Sequence, residues 1–120
     1  MFKKSRKTDL YSTFIGIESN FEGTLEFTGT IRIDGQVKGK VLSDGGILIV
    51  GEQGVIHGDI VVDEARIYGE VMGNIDAKEK ITVTRPGRVT GDIRSPAITI
   101  GKGVIFDGNC GMKSGNLKNL

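Results

Sequence analysis

Apolar residues four apart, with a glycine midway between them, recur along most of the chain. The element apolar-x-Gly-x-apolar is centred on Gly23, Gly39, Gly58, Gly73, Gly91 and Gly108, at intervals of 16, 19, 15, 18 and 17 residues. Before these glycines stand Phe21, Val37, Ile56, Val71, Val89 and Phe106; after them stand Leu25, Val41, Ile60, Ile75, Ile93 and Cys110. All of these flanks are apolar, which at 38% hydrophobic residues is a chance of about one in a hundred thousand. A second element lies upstream of each glycine: Ile15/Ile17, Ile31/Ile33, Ile47/Ile49, Ala65/Ile67, Ile81/Val83 and Ile98/Ile100. Spacing of two is the signature of a strand with one buried face. Phe27, Val62 and Ala77 continue the alternation beyond the glycine, while Ser43 and Ser95 interrupt it. Asp44-Gly45-Gly46 and Arg85-Pro86-Gly87 supply turn chemistry between the pieces.

Three short strand pieces in a repeat of about 17 residues leave no room for a propeller blade or for the helix of a leucine-rich or ankyrin unit. The pattern predicts an all-β chain wound as a single parallel β-helix of six coils. Its rungs stack about 4.8 Å apart, so that equivalent residues form ladders and the inward ones fill a dry interior. Each central glycine is expected where the coil bends, with no room for a Cβ and a need for positive φ. The left-handed hexapeptide coil is the competitor, and Ile49-Val50-Gly51-Glu52-Gln53-Gly54-Val55 resembles its sequences. Intervals of 15 to 19 break that coil's strict count. The β-helix is expected over residues 14–112, between flexible tails at 1–13 and 113–120.

Composition agrees with a coil and against a helical bundle, since 19 of the 120 residues are glycine and none is tryptophan. The net charge of +1 hides a segregation: residues 1–13 carry +3, residues 14–110 carry −4, and residues 111–120 carry +2. Nucleic acid is not expected as a partner. A single cysteine forms no intrachain disulfide. No apolar stretch approaches the length of a spanning helix or a secretory signal.

Candidate chemistry is thin. His57 is the one histidine and falls on an outward ladder position, which suits a solvated surface residue better than a ligand or base. Cys110 falls in the inward ladder after Ile93 and is expected to be a buried, inert thiol. Asp59 and Asp92 sit two coils apart, roughly 10 Å, too far to share a cation. No phosphate-binding loop is present. Neither an enzyme nor a cofactor is expected.

The ends carry the problem that remains. A β-helix leaves its first and last coils with unpaired strand edges and an uncovered apolar cross-section. Large inward side chains stand at the extremes, Phe14, Phe21 and Phe27 in the first coil and Phe106 in the last. They either plug a monomer or dock one subunit on the next. The glycine-centred repeats from Phe14 to Cys110, the uncapped ends and the start Met1-Phe2-Lys3-Lys4-Ser5 together resemble the bactofilins, bacterial polymer-forming cytoskeletal proteins. That resemblance implies a right-handed, three-sided β-helix that assembles end to end into a homopolymer without nucleotide. It places the filament in the cytoplasm, at the inner face of the cytoplasmic membrane, scaffolding cell-shape machinery or other cell-envelope and peptidoglycan-related proteins. Polymer contacts then fall on Phe21, Leu25 and Phe27 at one end and on Ile105 and Phe106 at the other. Membrane binding falls on Met1, Phe2, Lys3, Lys4, Arg6 and Lys7. Like ends are expected to join, although Glu18, Glu22 and Glu26 near one end and Lys102 and Lys113, with Asp107, near the other would by charge favour head-to-tail contact. Two other functions stay open: a monomeric β-helix module binding envelope polysaccharide, and a degenerate hexapeptide-repeat, transferase-like protein. The first asks for a row of exposed aromatics, and the only tyrosines are Tyr11 and Tyr68.

Overall fold

The computed structural model describes residues 13–112, with side chains from Ile15 to Gly111. These residues form β1 (Thr13–Ile15), β2 (Asn20–Phe27), β3 (Thr30–Ile33), β4 (Gln36–Ser43), β5 (Ile47–Val50), β6 (Val55–Ile67), β7 (Glu70–Met72), β8 (Ile75–Val83), β9 (Arg88–Thr90), β10 (Ile93–Ser95), β11 (Ile98–Ile100), β12 (Ile105–Asp107) and β13 (Cys110–Met112). Every pairing is parallel, and strands stack on their counterparts one coil away rather than form hairpins. The chain is a parallel β-solenoid whose pairings sort into three ladders. In ladder A the inward register partners run Ile15, Ile33, Val50, Ile67, Val83, Ile100. Ladder B runs Phe21, Val37, Ile56, Val71, Val89, Phe106. Ladder C runs Leu25, Val41, Ile60, Ile75, Ile93, Cys110.

The glycines hold the bend between ladders B and C. Gly23, Gly39, Gly58, Gly73, Gly91 and Gly108 all have φ between +128° and +155°, a region that disfavours L side chains. From Gly39 onward, a Cβ on each would also collide with the carbonyl oxygen of the glycine one coil before it. Gly23 has nothing within 4 Å, because no described residue forms a coil beyond it. Conformation and close stacking thus select glycine at the same corner. Just past it the backbone amide of Asp92 donates to Asn74 Oδ1 and that of Asn109 donates to Asp92 Oδ1, each at 3.3 Å, tying successive coils at their rims.

Inside, the middle coils are sealed: Val37, Ile56, Val71, Val89, Ile60, Ile75 and Ile93 are 0–1% exposed. Complete burial of such a side chain contributes about 1.5–3 kcal/mol. Two inward-phase assignments shift. Ile31 pairs with Leu48 and Ile33 with Val50, so Leu48 and Val50 are buried while Ile47 and Ile49 point to the outer face. In the continuous run Ile47-Leu48-Ile49-Val50 both phases are apolar, and only the neighbouring strands decide between them. Ile17 lies in the turn that follows Ile15 and is 62% exposed. The serines that interrupt the third strand piece do point inward, and Ser43 Oγ and Ser95 Oγ are buried with no hydrogen-bond partner. Near the corner between ladders A and B, Asp34 is nearly buried and held by Arg32 at 2.9 Å, and this hydrogen bond raises the pKa of the guanidinium.

Candidate functional site: the two open ends of the solenoid

Ladder B begins and ends in phenylalanine, and the burial along it changes only at those ends. Phe21 and Phe106 are half-buried, whereas the four residues between them are sealed. The same holds across the molecule. The partly buried apolar residues packed against the core are Ile15 and Phe21 at one end and Ile98, Val104 and Phe106 at the other. Among the described residues the core is a column open at both faces, because none of them forms a further rung to cover it.

The expected end contacts divide by position. Leu25 and Phe27, at 6% and 8% exposed, already belong to the core of one chain, and the Phe27 ring lies against the backbone at Gly46. Phe21 is the first-coil aromatic that remains partly open. At the far end Phe106 is the last inward residue of its ladder, while Ile105 pairs with Arg88 on the outer face and is 54% exposed. Ile98, Ile100 and Val104 extend this end face. Ile98 and Ile100 were legible as inward residues of the last repeat. Their exposure follows from having no coil beyond them among the described residues.

Cys110 corrects the expectation of a buried thiol. It stands in register with Ile93 as the pattern required, but its coil is the last of those described, and it is exposed. The burial that remains raises its pKa, away from the activated thiolate of a nucleophile. His57 stacks between Lys38 and Met72 on the outer face and is exposed. Among the described residues no group of His, Cys, Asp and Glu is arranged to hold a metal ion. Met1, Phe2, Lys3, Lys4, Arg6 and Lys7 lie outside the described residues.

What this arrangement offers chemically is strand pairing and apolar burial at two ends. An unpaired rung edge presents backbone donors and acceptors at the spacing of one further coil. The half-open phenylalanines supply the surface that such a coil would cover.

Residues 13–111 match the family model described as bactofilin, polymer-forming cytoskeletal. Bactofilin BacO of Myxococcus xanthus is 36% identical over 107 residues, covering 89% of this chain and 84% of that one. Bactofilin BacP of the same organism is 34% identical over 108 residues, covering 90% of this chain and 45% of that longer protein. Among solved structures, a cryo-EM reconstruction of Thermus thermophilus bactofilin double helical filaments superposes with a TM-score of 0.79 at 30% identity, covering 84% of this chain and 99% of that one. A crystal structure of a phenylalanine-to-arginine mutant of Thermus thermophilus bactofilin gives a TM-score of 0.69 at 31% identity, covering 74% and 98%.

Proposed function

Because the chain belongs to the bactofilin family of polymer-forming cytoskeletal proteins, we propose that it is a filament subunit that joins end to end through the open faces of its solenoid. The observation that carries this is the placement of Phe21 and Phe106, the two half-buried ends of one otherwise sealed ladder. Like faces meet, so that Phe106 and its neighbours cover the same face of a second chain. Apolar burial at such a joint can be worth several kcal/mol, against about 0–1 kcal/mol for each exposed charge pair that favours the opposite polarity. The Thermus thermophilus filaments are double helical, and we carry that second level over as well: strands of this chain associate side by side.

The basic segment Met1, Phe2, Lys3, Lys4, Arg6 and Lys7 anchors the filament to the inner face of the cytoplasmic membrane, where it scaffolds envelope machinery. Each basic residue contributes about 1 kcal/mol near an anionic surface. One copy binds weakly, and many copies along a filament bind by avidity. Deleting residues 1–7 should leave filaments intact and stop their co-sedimentation with anionic liposomes. A truncated chain that still pellets with those liposomes removes the membrane role.

A further inference from the structure

The corner between ladders A and B is uneven. Inward partners across it are six residues apart at Ile15/Phe21, Val50/Ile56, Val83/Val89 and Ile100/Phe106, but four apart at Ile33/Val37 and Ile67/Val71. The longer corners form exposed turns with tips at Ile17-Glu18, Glu52-Gln53, Arg85-Pro86 and Lys102-Gly103. In the first three the turn is closed by a backbone hydrogen bond, Ser19 to Gly16, Gly54 to Gly51 and Gly87 to Thr84. The tips make a ridge along one edge of the rod, acidic in its first half and basic in its second. Glu18, Glu52, Arg85 and Lys102 take part in none of the ion pairs among the described residues. The two most exposed large apolar residues described stand near opposite ends of the ridge, Ile17 at its first tip and Ile105 at the start of β12, just past its last turn.

One further feature marks the ridge as more than a set of loops. Glu18 has φ +74°, and Gly103, at the same tip position in the last turn, has φ +80°. Glycine adopts this conformation freely and glutamate does so at a cost. A glutamate therefore stands where glycine would fit without strain.

We propose that this ridge is the side-by-side interface between two filament strands, formed by two copies of the chain lying antiparallel about a two-fold axis. The proposal rests on the filament reading and names the surface that pairs the strands. A two-fold axis sends the first half of the ridge onto the second, which is the self-complementarity an isologous contact requires. Ile17 then meets Ile105, Glu18 meets Lys102, and Glu52 meets Arg85. The spacing permits this. Ladder A places the Glu18 and Lys102 turns five steps apart and the Glu52 and Arg85 turns two steps apart. Their midpoints differ by half a step, so an axis midway between them leaves each pair offset by half a step, about 2.4 Å at a rung spacing near 4.8 Å, which lysine and arginine side chains span. A parallel neighbour would instead set Glu18 against Glu18 and Arg85 against Arg85. An anionic membrane gains nothing from a ridge whose tip charges cancel. Axial head-to-tail stacking would bring Glu18 towards Lys102 but leave Glu52 and Arg85 apart, so the inner pair distinguishes the arrangements.

The test images filaments of the full chain carrying Glu52→Arg, Arg85→Glu, or both, beside the wild type, by electron microscopy at low and high salt. Both sites are exposed and outside the end faces, and circular dichroism checks that each variant is folded. Wild-type strands should pair at low salt and separate near 1 M, where the screening length falls to about 3 Å. Each single reversal should lower the paired fraction at least tenfold with strand length unchanged, and the double reversal should restore pairing. Strands that pair regardless of the single reversals, or a double variant that stays unpaired, would overturn the ridge and leave end-to-end assembly standing. A wild-type chain that forms no strands at all would overturn both.

Discussion

Replacing Phe106 with arginine separates a docking surface from a plug. Phe106 is half-buried in the single chain. Complete burial of a phenylalanine contributes about 1.5–3 kcal/mol, so the half still open is worth about 1 kcal/mol at a joint, or about 2 kcal/mol where two copies meet face to face. An arginine there can extend past the last coil into water while the chain is alone. In the joint it loses that route, and an unpaired charge buried against a second apolar face adds a penalty of several kcal/mol. The combined loss exceeds about 4 kcal/mol per joint, roughly a thousandfold in association. The matched change Val71→Arg falls on the same ladder where exposure is 0%. There the charge has no exit even in the monomer, and the penalty is a large part of the 5–15 kcal/mol that holds a typical domain folded. Size-exclusion chromatography with light scattering, together with circular dichroism, reads both. Phe106→Arg should give a soluble, β-rich monomer or short oligomer, and Val71→Arg an unfolded or aggregated chain. Normal-length filaments of Phe106→Arg would refute the assignment, as would loss of its β-sheet signal.

Two further changes probe the solenoid itself. Gly58→Ala should cost more than about 3 kcal/mol in urea denaturation, since it adds backbone strain of about 1–3 kcal/mol to a collision with the Gly39 carbonyl; Gly23→Ala has the strain without the collision, and equal losses at the two sites would show that stacking is not what selects glycine. Ser95→Ala should raise stability by about 1 kcal/mol, because it removes a hydroxyl that is 0% exposed and without a partner; a lower melting temperature would contradict that accounting.

Most of the architecture was legible because one physical constraint repeats. A glycine at each bend and apolar residues two before and two after it report the same corner, and chain-long repetition averages out local ambiguity. Ile47 to Val50 had no polar residue to mark its outer face, so its phase depended on contacts with β3 and β6 that no local pattern contains. Periodicity gave Cys110 the right ladder and the wrong environment, because it assigns a phase but not whether a further coil follows. The same gap hid the distinction between Leu25 and Phe27, sealed within one chain, and Phe21 and Phe106, left half-open. The ridge was present in the sequence as the irregular intervals between glycines. Only the registered ladders show that part of this irregularity is the alternation of long and short turns along one edge.

Electron microscopy of the purified chain, with nucleotide omitted and a chelator present, tests the central claim most directly. Ligand-free assembly through the open ends predicts filaments under those conditions, because strand pairing and apolar burial there need no ligand. Dispersed monomers that assemble only when nucleotide or metal is added would contradict it.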